Sequence, residues 1–411
     1  MALNYIWVAF FLIAFIVALI KLVLFGDTEI FKVIVEGLFE SSKVAVMDIA
    51  LPLAGVMTFF LGLLNIGEKA GAINFLARII GPFFHKLFPD VPRDHPANGQ
   101  MIMNFSANML GLDNAATPFG LRAMESLQTL NPSKDTASNA QIMFLVLHTS
   151  GLTIIPLSIL AQRAILGAQN PSDVFIPCVI GTYVTTVAAL VSVGIKQRIN
   201  LLNSTVVGWL GGITALIALA LWALAGRPKE EVETISKVAG NFILLTIIVA
   251  FLVGAIRKRV DIFPTFIDGA KAGFETSVRI IPYLVGMLVA IGAFRNAGAM
   301  DYLVGGFRYV FGLTGLNTDF TDALPVALMK PLSGSGARAL MIDAMKEFGP
   351  DSFVGRLVCI FQGSADTTFY IVALYFGSVG IKNTRYAIPY GLFADLVGVL
   401  AGIALGYFFF H

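Results

Sequence analysis

Unbroken apolar stretches of about the length that spans a bilayer recur along this chain, and no other feature limits its fold so tightly. A helix needs about 20 apolar residues to cross the hydrocarbon layer. Nine stretches meet or approach that length: 4–25, 44–66, 140–167, 173–193, 204–225, 241–256, 276–294, 353–377 and 386–410. Only 13% of the 411 residues are charged, about half of what a water-facing surface needs. A membrane barrel would instead read as short alternating strands. The expectation is an all-α integral membrane protein of about nine full spans, with lipid as its main partner. Segment 4–25 lacks a leading basic region and is too long for the apolar part of a signal peptide, so it reads as a retained first span. Net charge is +2 and no basic run exceeds Arg257-Lys258-Arg259, so no nucleic-acid partner is expected. Cys178 and Cys359 sit in apolar segments without a CxxC spacing or a histidine pair. No metal site and no cofactor are expected.

Two further stretches, 99–126 and 321–347, are apolar at both ends and polar at the tip. Each reads as a re-entrant hairpin, which lipid tolerates only where protein or a cavity surrounds the broken backbone. Each also belongs to an ordered series that occurs twice. AGAINFL at Ala70–Leu76 matches AGAMDYL at Ala297–Leu303. Before these come spans carrying Asp48 and Pro52, or Arg279 and Pro282. After the hairpins come spans interrupted by Ser150-Gly151-Leu152-Thr153 or by Ser364-Ala365-Asp366-Thr367. The last spans carry Ile176-Pro177 or Ile388-Pro389. The reading is a first span over 1–25, one repeat over 26–200, two connecting spans over 201–260, and a second repeat over 261–411. Three spans per repeat and an even connector give the repeats opposite orientations. Charge agrees when the N-terminus is cytoplasmic. Lys69, Arg78, Lys86, Arg93, Lys196, Arg198, Arg257–Arg259, Lys271, Lys382 and Arg385 then lie inside, where lysine and arginine accumulate. Lys32, Lys43, Arg227, Lys229, Lys237 and Arg308 lie outside. Inverted repeats with broken helices are a construction plan of secondary transporters.

The polar residues at membrane depth are the candidate chemistry. The first hairpin offers Asn104, Ser106, Asn108, Asp113, Asn114 and Thr117, and its partner span offers His148, Ser150 and Thr153. The second offers Ser333, Ser335 and Arg338, and its partner span offers Gln362, Ser364, Asp366, Thr367 and Thr368. Burying an unpaired hydroxyl or amide costs a few kcal/mol, so these groups must meet each other, water or a solute. Ser333-Gly334-Ser335-Gly336 opens an apolar helix, whose free N–H groups attract anions. With Arg338 one turn in, it reads as a pocket for a carboxylate, a phosphate or another electron-rich group. The alternative is that Arg338 pairs with an acid such as Asp366 and locks the hairpin. Asp113, Asp366 and Asp395 are candidates for sodium or proton coupling, or else are helix caps and ion pairs. His148 is either a satisfied structural group or a proton relay. Segments 70–86 and 297–311 read as amphipathic helices, interfacial or packed.

Asn104–Met124 (NFSANMLGLDNAATPFGLRAM) and His148–Pro156 (HTSGLTIIP) resemble spore maturation protein A. Lys330–Met345 (KPLSGSGARALMIDAM) and Phe361–Lys382 (FQGSADTTFYIVALYFGSVGIK) resemble spore maturation protein B. Both are gate-domain, or nucleoside-recognition, membrane proteins. The resemblance implies two inverted-topology gate-domain repeats, each with a re-entrant hairpin and a broken helix. It implies a bacterial inner membrane, and kinship with concentrative nucleoside transporters and with the membrane part of ferrous iron transport protein B. A secondary transporter of a small polar or anionic solute, nucleoside- or carboxylate-like, follows as the first reading. By analogy with transporters of this build, a homo-oligomer is expected. A non-transporting structural or signalling protein is the alternative. An intramembrane enzyme acting on a lipid-linked substrate is a third, and it lacks a nucleophile and base at a defined spacing; no enzyme is expected.

Overall fold

A computed structural model describes the backbone of residues 2–315 and 317–411. It describes the side chains of these residues except Ala2, Leu3, Asp113, Asn114, Ala115, Lys229 and Glu233. Apart from one isolated bridge between Thr136 and Asn383, the regular structure among the described residues is helical. In order come α1 (Ala2–Phe25), α2 (Ile30–Val44), a π-helical turn Ala45–Ala50, and α3 (Leu51–Lys69). Next are α4 (Ala72–Leu87), α5 (Pro96–Met109), α6 (Asp113–Leu130), α7 (Asn139–Thr149), α8 (Leu157–Ile165) and α9 (Phe175–Lys196). Then follow α10 (Ser204–Leu224), α11 (Lys229–Arg257), α12 (Ile262–Asn296), α13 (Ala299–Gly312), a 3-10 turn Asp319–Ala323, and α14 (Leu324–Met329). The chain ends with α15 (Gly334–Phe348), α16 (Phe353–Gly363), α17 (Thr368–Ser378) and α18 (Ala387–Phe410).

The protein is an all-α, multi-spanning membrane protein. Among the described residues, eight helical stretches are long and apolar enough to cross a bilayer. Hydropathy alone leads one to expect about nine, and the difference is the stretch 140–167. It is two short helices, α7 and α8, as Phe353–Ser378 is α16 and α17, but only the latter pair counts as one long apolar stretch. Gly151 is left-handed (φ +63°), and Pro156 has no N–H to donate to a helical ladder. Three other spans are longer than hydropathy suggests: Ile30–Lys69, Glu230–Arg257 and Ile262–Asn296. Lys32 and Lys43, placed in a loop from sequence, are both helical. A charge marks where apolar sequence stops, not where hydrogen bonding does.

Local chemistry explains several helix starts. His95 caps α5 ahead of Pro96, and Ser138 with Gln141 forms a capping box at α7. Asn203 and Ser333 accept from the first turns of α10 and α15. These side chains satisfy N–H groups that have no partner in the helix. The order of elements recurs. α4 and α13 each begin after a left-handed glycine, Gly71 (φ +85°) and Gly298 (φ +82°). Each is followed by a helical hairpin (α5–α6, then α14–α15), a broken helix (α7–α8, then α16–α17) and a long final helix, α9 or α18.

The chain forms two compact units. One comprises Met1–Leu61, Ser158–Pro171 and Ala270–Gln362. Within it, small residues Ala14, Ala293 and Ala297 are buried against each other, and the Trp7 indole donates to the Gly286 carbonyl at 2.8 Å. The other unit comprises Gly62–Leu157, Ser172–Gly269 and Gly363–His411. Its core gathers Phe84, Phe105, Phe144, Tyr375 and Phe376 with aliphatic residues of α6, α7 and α9. In lipid the hydrophobic effect does not drive helices together, so close packing and hydrogen bonds must hold such cores.

Candidate functional site

The first hairpin and both helix breaks meet in the unit that contains α5, α6, α7 and α17. The hairpin turns at Gly111 (φ +72°), with the Leu112 N–H returning to the Ala107 carbonyl at 3.0 Å. This closure suits a helix end at a left-handed glycine. The first break packs onto that tip: the Ile154 N–H donates to the Met109 carbonyl at 2.7 Å. The second break packs onto the first: the Asp366 N–H donates to the Thr149 carbonyl at 2.8 Å. Two interrupted helices therefore satisfy part of each other's orphaned backbone. A side chain at Gly151 would place its Cβ 2.9 Å from the Asp366 nitrogen, which explains glycine there.

A polar cluster fills the space these turns enclose. His148, 5% exposed, lies with Nδ1 3.0 Å from Asn104 Oδ1 and 2.9 Å from Asn108 Nδ2. Its Nε2 lies 3.4 Å from the Tyr375 hydroxyl and 3.9 Å from Asp366 Oδ2. Asn104 donates to the Ala116 carbonyl at 2.7 Å and to Tyr375 at 3.3 Å. The Asp366 side chain is 44% exposed, so this cluster opens to the outside at that carboxylate. Below it, the Thr368 hydroxyl donates to Asp395 Oδ2 at 2.7 Å. Asp395 is buried on α18.

Other candidates from this region are held by local bonds. The Ser106 hydroxyl donates back to the Ile102 carbonyl at 2.8 Å, a role internal to α5. Ser150 donates to the Leu147 carbonyl and to Thr186, and Thr153 to the Gly151 carbonyl. Thr367 is buried at the start of α17 and its N–H donates to Asp366 Oδ1 at 2.7 Å. Ser364 is buried beside Gly398. Thr117 is half-buried on α6. The side chains of Asp113 and Asn114 lie outside the described residues.

The second hairpin belongs to the other unit. Ser333 caps α15, its Oγ accepting from the Gly336 N–H at 3.1 Å, and lies 3.3 Å from Ser335 Oγ. Ser335 is exposed and Arg338 half-buried. Gln362 is 6% exposed; its Nε2 reaches the Gly334 carbonyl at 3.5 Å, while its Oε1 has no hydrogen-bond partner. This unit also contains a cavity of about 280 Å³ lined by Arg295, Asp301, Arg308 and Asp322. Arg295 is bound to Asp343 and Arg308 to Asp322, so the cavity offers no free positive charge from these arginines. Asp366, suggested from sequence as a partner for Arg338, has its Oδ2 3.9 Å from His148 Nε2.

Sequence reasoning missed two features. Tyr375 looks like one more aromatic in the run TFYIVALYFGS, yet a buried tyrosine hydroxyl needs a partner and that need was the available signal. Arg163 lies in a stretch assigned to the membrane and is fully buried, 3.0 Å from Asp351; a charge at that depth was the signal. Among the described residues no group of three or more His, Cys, Asp or Glu side chains could hold a metal ion.

Comparison with known proteins bears on the whole arrangement. A family model described as Gate, nucleoside recognition, matches residues 50–166 and 277–382. Spore maturation protein B of Bacillus subtilis (strain 168) is 44% identical over 164 residues, 39% of this chain and 90% of that protein. Spore maturation protein A of the same organism is 39% identical over 156 residues, 38% of this chain and 79% of that protein. No solved structure matches.

Proposed function

We propose that this chain, which belongs to the Gate (nucleoside recognition) family, is a secondary transporter of a small polar or anionic solute working by alternating access. The observation that carries this reading is the meeting of the two helix breaks, Asp366 N–H on the Thr149 carbonyl at 2.8 Å, beside a polar cluster that opens at Asp366. Non-helical backbone at membrane depth is tolerated where it lines a cavity or is covered by protein, and transporters place their solute sites at such breaks. The solute contacts in this reading are Asn108, His148 and Asp366. The other unit holds a second polar set, Ser335, Gln362 and the first N–H groups of α15, which suit an electron-rich group. There Gln362 Oε1, buried without a partner, would accept from a hydroxyl or N–H of a solute.

The two segments matched by the family model are read as repeats of opposite orientation, over 26–200 and 261–411, each with a re-entrant hairpin. Recurrence of the left-handed glycine, hairpin, broken helix and final helix supports this. So does a reciprocal contact: Lys258, at the end of α11, lies against Gly71, and Lys21 of α1 lies against Gly298. A lysine there neutralises the carbonyl end of the preceding long helix. On this basis α1 and α11 play the same part, each beside the other repeat's glycine turn.

The test is uptake and counterflow of labelled nucleosides, monocarboxylates and dicarboxylates by the full chain in proteoliposomes. Saturable flux, reduced at least tenfold by Asn108→Ala combined with Ser335→Ala, is the expected outcome. Folded protein that moves none of these solutes in either assay overturns the reading.

A further inference from the structure

Asn104 fixes the protonation pattern of the polar cluster, because its own orientation is not free. Its Nδ2 contacts the Ala116 carbonyl at 2.7 Å and the Tyr375 hydroxyl at 3.3 Å. A carbonyl only accepts, so the amide nitrogen must face Ala116 and the amide oxygen must face His148 Nδ1, 3.0 Å away. His148 therefore carries its proton on Nδ1 and donates it to Asn104. Tyr375 accepts from Asn104, which leaves its own hydrogen directed at His148 Nε2, 3.4 Å away. The three side chains close a ring with every bond running in one sense: Asn104 to Tyr375, Tyr375 to His148, His148 to Asn104. Asn108 Nδ2 lies 2.9 Å from Nδ1; a protonated Nδ1 cannot accept from it, so this tautomer requires the Asn108 amide to turn over and present its oxygen instead. In this ring the imidazole is neutral, and its lone pair is on Nε2.

Nε2 also faces Asp366 Oδ2 at 3.9 Å. A proton added there turns Nε2 from acceptor to donor. Tyr375 can no longer donate to it, and the carboxylate becomes the natural partner. The buried ring borders on a half-exposed carboxylate, so Asp366 is the side from which a proton would reach Nε2. Other ionisable groups are distant in effect. α5 contributes none. α6 contributes Arg122 and Glu125, α9 Cys178, Tyr183 and Lys196, α17 Tyr370 and Tyr375, and α18 Tyr390, Asp395 and Tyr407. α6 also carries Asp113, whose side chain is outside the described set. Among the described residues, Asp366 is the charged group that acts on the ring.

We propose that His148 and Asp366 form a proton-binding site in which His148 Nε2 takes a proton against an ionised Asp366, and Tyr375 gives up or regains its hydrogen bond as the proton comes and goes. Asp366 is tied through its N–H to Thr149, the residue after His148, and through Oδ1 to the Thr367 N–H. Its movement toward a charged imidazole is thus transmitted to both helix breaks at once. Where the protein moves a solute, which rests on the reading above, this site couples that movement to protons.

The experiment is nitrogen-15 NMR of the full chain labelled at histidine and held in lipid nanodiscs, with His148 assigned by its loss in His148→Gln. The expected result is an Nδ1–H neutral ring at high pH that becomes doubly protonated on acidification. Asp366→Asn should move that midpoint down by at least one pH unit. Tyr375→Phe, which frees Nε2, should move it up and also serves if Asp366→Asn does not fold. An Nε2–H ring at high pH, or a midpoint unmoved by both substitutions, overturns the proposal. Solute flux separates this from the transport reading. Failure of every solute to cross defeats transport while the NMR result still decides the proton site. Flux with the same pH dependence in His148→Gln defeats the coupling and leaves transport standing.

Discussion

Arg163 is fully buried, and its guanidinium is shared among the carbonyls of Pro171, Asn170 and Pro350 and the carboxylate of Asp351. Asp351 also accepts from the Gln169 N–H at 2.9 Å, so one pair closes two loops. Removing one partner of a buried pair strands the other charge and costs about 3–5 kcal/mol. Asp351→Ala is therefore expected to destabilise the protein by about 3 kcal/mol, read as a lowered unfolding midpoint in detergent, with Arg163→Met less severe because the charge it leaves, Asp351, is partly exposed and keeps the Gln169 N–H. Asn104 and Ser106, two residues apart, should separate cleanly in the same assay. Asn104→Ala leaves Ala116, His148 and Tyr375 short of a partner and is expected to cost about 1–3 kcal/mol. Ser106→Ala removes only a bond to its own helix, and a loss above about 0.5 kcal/mol would contradict that assignment. Both residues look alike in the sequence as polar groups at a hairpin tip. What separates them is which way each points, and that depends on which helix lies alongside.

At the scale of elements, the breaks in α7–α8 and α16–α17 decide what the hairpins can do. Gly151 is left-handed, where any other L-residue pays about 1–2 kcal/mol, and its added Cβ would also press on the Asp366 nitrogen at 2.9 Å. Gly151→Ala is expected to lose at least that much stability and to part the two breaks, seen as faster amide exchange at Asp366 and Thr367. Gly305, helical on α13 with open space within 4 Å of where a Cβ would sit, is the control; Gly305→Ala should be neutral or stabilising by up to about 1 kcal/mol. The interruptions themselves were legible as Ser-Gly-Leu-Thr and Ser-Ala-Asp-Thr inside apolar runs. Their mutual contact was not, because about 215 residues separate them and no local pattern encodes such a pairing.

For the whole molecule, lipid exposure and charge placement set the orientation to be tested. α10 has only 6% of its apolar window buried and α1 11%, against 67% for Phe353–Ser378, so the first two face outward while the last is enclosed. From the excess of lysine and arginine, the loop after α9 is expected inside and the loop after α10 outside. Leu202→Cys should then resist a membrane-impermeant maleimide added to intact cells, and Arg227→Cys should react. Cys178 and Cys359 are buried and give a low background. The reverse labelling pattern would invert the orientation and remove one support of the opposed repeats.

Some properties were determined by local sequence alone. Apolar length established a helical membrane protein, because backbone N–H and C=O groups in lipid must be satisfied within each segment. Glycine, serine and proline at hairpin tips and breaks set where helices stop, because each acts on its own neighbouring backbone. The tertiary structure decided the rest. It brought His148 within hydrogen-bond reach of Asn104, Asn108 and Tyr375, distributed the chain over two units, and turned Arg163 from a charge in an apolar run into a clamp. Those outcomes depend on donors and acceptors that meet across long stretches of chain, and a hydrogen bond has a direction and a length that no single segment carries.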